Sequence, residues 1–204
     1  MEQRLTLMVH GQENCAYTSH KNIGTLDKYA KDSVHLISPR FGKSLFSSRE
    51  EVYSEANGLF YPEPILLKHF QFDESELNRL KITIVGGQVE KCLSQVYSCL
   101  EKWSKNSGML ATIEAHLPLE AVFSFDKKSG EVQTLEELAE RYGKKYASLI
   151  LLFYCGVKGS VPSNIKWEES KVILKSTRPY GIVDVNGEII DSLNGYLDGS
   201  LQTR

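Results

Sequence analysis

No stretch of this sequence approaches the ~18 consecutive apolar residues that a bilayer-spanning helix needs. The apolar run after Met1-Glu2-Gln3-Arg4 ends at Val9. It is too short for a signal-peptide core, and no small-residue cleavage site follows it. It reads as a first strand. The expectation is a soluble protein of the cytoplasm, or one secreted without a cleavable signal into a host cytosol. Basic excess is also lacking. Lys and Arg number 24 against 26 Asp and Glu, for a net charge of −2 and a pI near 6.2. That balance speaks against a nucleic-acid footprint. Cysteine is sparse, with Cys15, Cys92, Cys99 and Cys155 forming no C-x-x-C pair. Cys92 and Cys99 fall on one predicted helix, about 10 Å apart along its axis, so they cannot bond to each other there. A disulfide framework is excluded, and a reducing compartment is expected.

What is present is ordinary globular composition, 41% hydrophobic and 25% charged, over 204 residues. That length suits one domain spanning 1–204. Alternating or β-branched runs predict strands at 4–9, 34–37, 81–85, 109–115 and 171–175. A hairpin is expected from 121–125 to 131–134, around a loop ending in Gly130, and a second within 181–190 around Asn186-Gly187. The nearly all-apolar 148–154 (SLILLFY) reads as a buried central strand, followed by a Gly/Ser/Pro loop over 156–163. Ser47 and Ser48 stand at capping-box spacing from Glu50 and Glu51 and predict a helix over 47–57. Asp73 with Glu76 predicts a short helical turn. Thr134 with Glu137 predicts a helix running to about Tyr146. The stripe Val89, Cys92, Leu93, Val96, Tyr97, Cys99, Leu100 and Trp103 has helical period and predicts a helix from 89 to 105. Strand, helix and strand over 81–115 resemble a βαβ unit with parallel strands. The fold class expected is α+β, a mixed sheet with packed helices in a layered sandwich.

Among residues able to do chemistry, Cys15 stands out because it lies in a polar stretch rather than on an apolar face. A reactive thiol needs a base nearby. His20 is five residues away, and His35 sits in a strand that would fix its ring for proton transfer. His10, Cys15, His20 and His35 are zinc-ligand types, but their spacing matches no short paired pattern. Gly86-Gly87-Gln88 turns a strand into a helix and exposes backbone N–H groups suited to an anion. The same tripeptide marks peptide-release factors, whose basic context is absent here. Cys92 and Cys99 belong to the predicted apolar stripe and read as core. Cys155, at the end of the predicted central strand, is a second candidate nucleophile. Glu114 and His116 share one face of a strand. His69 has no constellation around it.

The order of these features resembles the bacterial chemoreceptor glutamine deamidases, whose catalytic fold also occurs in the cytotoxic necrotizing factor toxins. Cys15 follows the first strand, and His35 comes twenty residues later in Val34-His35-Leu36-Ile37-Ser38-Pro39. A predicted helix, KITIV-Gly86-Gly87, a second helix and VFSFDKKSGEV then continue the family's order over about residues 4–133. Residues 134–204, a C-terminal helix and strands, lie outside it. The sequence departs where Glu13-Asn14 stand in place of a Gly-Ser pair before the cysteine. It departs again where Asp32-Ser33-Val34 replace glycines before the histidine. The resemblance implies a protein-glutamine deamidase with Cys15 as nucleophile, His35 as base and Thr6 as the residue orienting the imidazole, although Thr6 lies nine positions upstream. It implies no metal or organic cofactor and a protein substrate or partner, not nucleic acid or membrane. A bacterial effector and a signalling enzyme are both consistent with it. The alternatives are a non-catalytic protein-interaction domain and, third, a zinc-dependent hydrolase.

Overall fold

Period-two alternation builds the centre of the molecule. In the computed structural model, which describes residues 4–73, 77–108, 111–156 and 164–175, strands β1 (Arg4–Val9), β2 (Val34–Ile37), β3 (Glu50–Tyr53), β4 (Asn78–Gly86) and β5 (Ala111–Pro118) run parallel. They lie in the order β3-β2-β1-β4-β5. Two antiparallel strands, β9 (Lys171–Lys175) and then β8 (Asn164–Trp167), extend the sheet beyond β5. A separate hairpin joins β6 (Phe123–Asp126) to β7 (Glu131–Thr134). The mixed sheet with packed helices is the expected α+β architecture. No helix among the described residues is long and apolar enough to cross a membrane.

The register aligns Leu5, Ile82, Ala115 and Leu174 across four strands, and all four are buried. Ile84 and Leu7 form the next row and are also fully buried. Helices α3 (Ser94–Asn106) and α5 (Lys144–Gly156) pack on each other, and α3 packs on β5. Helix α1 (His20–Ala30) packs on β1 and β4. Right-handed crossovers running in opposite directions along the sheet, β1 to β2 and β4 to β5, place their helices on opposite faces. The short α2 (Glu63–His69) lies between β3 and β4 in the chain. Helix α4 (Leu135–Tyr142) opens with the expected capping box. Thr134 Oγ1 accepts from the Glu137 N–H at 3.1 Å, and the Glu137 carboxylate accepts from the Thr134 N–H at 3.0 Å.

Two expectations are overturned. Residues 148–154 are not a strand; they lie inside α5. Tyr146, Ala147, Ile150, Leu151 and Cys155 are its buried positions, a helical spacing that puts one face against the rest of the core. Cys155 therefore ends no strand, and its sulfur-bearing residue is wholly inaccessible. Residues 47–57 are not a helix either: Glu50–Tyr53 pairs with β2 as a parallel edge strand. Its outward Glu51 and Tyr53 leave one side of that strand to solvent. The predicted helix 134–146 is divided at Gly143, where φ is +87°. Helix α1 was not foreseen. The Asp73–Glu76 turn, the 156–163 loop and the Asn186-Gly187 hairpin fall wholly or partly outside the described residues.

Candidate functional site at the sheet's switch point

From β1 the chain steps through β2 to β3 in one direction, and from β4 to β5 in the other. The reversal lies between β1 and β4, and ligand crevices in open parallel sheets form outside the carboxyl ends of strands at such a point. Three residues with left-handed backbone mark it. His10 directly follows β1 with φ at +51°, the one non-glycine residue with positive φ among those described. Gly86 and Gly87 end β4 with φ of +71° and +74°. Strained or left-handed backbone concentrates where a fold serves a ligand or a reaction.

The loop after β1 is held by side chains. Gln12 donates from Nε2 to the Ser38 and Gly42 carbonyls at 2.9 and 2.6 Å, and its Oε1 accepts from the Ser38 N–H at 2.8 Å. That tethers the ends of β1 and β2. The Tyr17 hydroxyl donates to the Val9 carbonyl at 2.6 Å, and its ring stacks on Phe123 with centroids 5.0 Å apart. His10 Nε2 lies 2.9 Å from Ser54 Oγ at the end of β3, and its Nδ1 has no hydrogen-bond partner among the described residues. Burial pushes the His10 imidazole down to about 4, against a smaller opposing effect of the Glu55 backbone.

Two thiols reach this rim. Cys15 is 8% exposed, and burial pushes its thiol up to about 11 despite hydrogen bonding to Tyr17 and the Gln12 backbone. Cys92 lies in a single π-helical turn, Val89–Leu93, between the Gly-Gly bend and α3. Such π-turns are frequent at functional sites. The Gln88 N–H points at the Cys92 sulfur, 3.3 Å away. Burial raises this thiol too, while the backbone groups of Gln88, Cys92 and Leu93 act in the opposite direction. Both sulfurs interact with the Tyr17 side chain.

The sequence-predicted trio has these surroundings. His35 is fully buried in β2, beside Met8 of β1. Its Nδ1 lies 3.3 Å from Ser44 Oγ and its Nε2 3.3 Å from the Ala30 carbonyl, so both ring nitrogens have partners other than Cys15. Burial lowers its affinity for a proton. Thr6 is half-buried in β1, in register with Thr83 of β4. No hydrogen bond links Cys15, His35 and Thr6 to one another among the described residues. His20 opens α1. No group of three His, Cys, Asp or Glu side chains is placed to hold a metal ion among the described residues. Cys99 is core on α3, as its helical spacing suggests. His69 lies 3.4 Å from Glu50. His116 Nε2 lies 2.8 Å from Glu114 Oε1, on a polar face of the sheet away from the thiols' loops.

His10 and Tyr17 carry more of the site than sequence reasoning assigned them. The available signal was a histidine between a strand and a glycine, and its meaning depends on strand order. Comparison with protein-family models, curated proteins and solved structures finds no match to this chain.

Proposed function

We propose that the protein is a cysteine-dependent hydrolase of carboxamides, with a protein glutamine side chain as substrate class and Cys92 as the reacting thiol. The observation that supports this reading is the setting of Cys92: it follows two left-handed glycines at the switch point, and the Gln88 N–H is directed at its sulfur. Backbone N–H groups at a helix start favour negative charge on a thiolate and on the oxyanion that follows its attack. In the proposed reaction the Cys92 sulfur bonds to the carboxamide carbon and ammonia leaves with a proton. Water then cleaves the thioester to give glutamate and restore the thiol. The substrate class comes from the resemblance in chain order to the glutamine deamidases, with the nucleophile moved from Cys15 to Cys92.

The test is ammonia release from glutamine-containing proteins and peptides. The expected result is release by the intact protein, its loss in Cys92→Ser, and its retention in Cys15→Ser. Absence of release from every carboxamide offered, or full activity in Cys92→Ser, overturns the proposal. One observation favours a second reading, a non-catalytic interaction domain: both rim thiols are buried and held protonated. On that reading no cysteine reacts with iodoacetamide at neutral pH faster than an unfolded control.

A further inference from the structure

A parallel sheet normally has both faces covered and hydrophobic. Here one face of the central strands is polar. Arg4, Lys81, Glu114 and Lys175 line up across β1, β4, β5 and β9, and the next row is Thr6, Thr83, His116 and Ile173. Over part of this face lies an open trough of about 790 Å³, with Tyr29 of α1 on its rim. The volume falls in the range of small-molecule sites, about 300–1,000 Å³.

The charge in the trough is unbalanced. Its lining holds six cationic side chains, Arg4, Arg79, Lys81, Lys166, Lys171 and Lys175, against the carboxylates Glu114 and Glu168. That is a local excess of four positive charges in a chain whose net charge is −2. Both carboxylates already have cationic partners within the trough. Glu168 pairs with Lys166 at 3.0 Å and Lys171 at 3.2 Å, and Glu114 pairs with Lys175 at 2.9 Å. Arg79 is exposed and has no ion pair among the described residues. A concave site with an excess of one sign of charge focuses its field and concentrates counter-ions. Thr83 and His116 in the lining add further hydrogen-bonding groups.

We infer that this trough binds a small phosphate-bearing anion, of the class of phosphorylated metabolites. The inference is independent of the thiols at the switch point. Phosphate suits the lining because guanidinium and ammonium groups bind its oxygens with charge-assisted hydrogen bonds. The trough is poor in the aromatic anchors that dominate protein interfaces, with Tyr29 supplying the Tyr, Phe or Trp ring among its described lining residues. The negative net charge of the chain disfavours a long nucleic-acid track.

Titration of the full chain with inorganic pyrophosphate, followed by calorimetry, tests this. The expected result is saturable one-to-one binding that weakens as sodium chloride is raised. Arg79→Gln with Lys171→Gln is expected to weaken it about tenfold or more, and Arg79→Lys to weaken it less. Lys102→Gln, an exposed site on α3, is expected to leave it unchanged. Thermal melting of each variant confirms that it is folded. Absence of saturable binding, or equal loss in Lys102→Gln, overturns the inference. So does much tighter binding of a single-stranded oligonucleotide or of phosphatidylserine vesicles through the same residues.

Discussion

A Cβ placed on Gly86 would lie 2.6 Å from the carbonyl oxygen of Val9, its register partner on the neighbouring strand. Two strands that end side by side at the switch point therefore approach too closely for any side chain at this position. The left-handed φ of +71° adds a second barrier to substitution. The glycine is dictated by β1 as much as by its own turn.

Gly86→Ala is accordingly expected to destabilise the fold. Backbone strain alone is worth about 1–3 kcal/mol, and the contact with Val9 adds to it because the obstructing atom is backbone. Gly130→Ala is the matched comparison: its φ is +74°, but no atom lies within 4 Å of the added Cβ. Urea denaturation of the two variants separates steric from conformational strain. Equal losses would show that Val9 and Gly86 do not constrain each other.

The capping box of α4 gives a prediction on a different element. Thr134 caps the Glu137 N–H, and the Glu137 carboxylate also pairs with Lys21 of α1. Thr134→Ala is expected to cost about 0.5–2 kcal/mol, the usual range for loss of an N-cap. Lys21→Ala is expected to cost about 1 kcal/mol or less, because exposed ion pairs contribute little. Denaturant midpoints at constant m-value measure both. A larger loss for Lys21 would mean that its tie to α4 holds the two helices together.

Much of the sheet was legible because RLTLMV and KITIV alternate in register, leaving Leu5, Leu7, Ile82 and Ile84 on the buried side. The Thr134-Glu137 box was legible because its interactions are local. SLILLFY misled because an all-apolar run has no period to read, and strand and buried helix fit it equally. Ser47-Ser48 and Glu50-Glu51 misled because pairing of Glu50–Tyr53 with β2, a tertiary event, overrode a local capping signal. The site was least legible of all. Cys15 lies in a polar stretch of sequence, yet Tyr17 and the tethered loop around Gln12 enclose it. His10 matters because β1 and β4 are neighbours, and nothing near residue 10 in sequence states that adjacency.

His10 also makes the fold sensitive to acid. An unfolded imidazole titrates near 6.5, whereas in the fold burial holds His10 down to about 4. Above pH 6.5 the ring is neutral in both states and stability is unaffected. Between 6.5 and 4 the unfolded chain takes up the proton and the folded chain does not, so stability falls with falling pH. Below 4 both states are charged, and the accumulated loss reaches about 3 kcal/mol. His35, also lowered by burial, acts in the same direction. Buried Glu101, whose carboxyl is raised by burial, opposes it. His10→Asn isolates the effect, because asparagine tolerates the left-handed backbone at this position and does not titrate. The difference in unfolding free energy between the parent protein and His10→Asn is expected to shift by about 3 kcal/mol in the variant's favour from pH 7 to pH 4. A difference that stays constant over that range would mean that the imidazole takes up its proton in the folded state, and is open to water rather than sealed against Ser54 and Phe41.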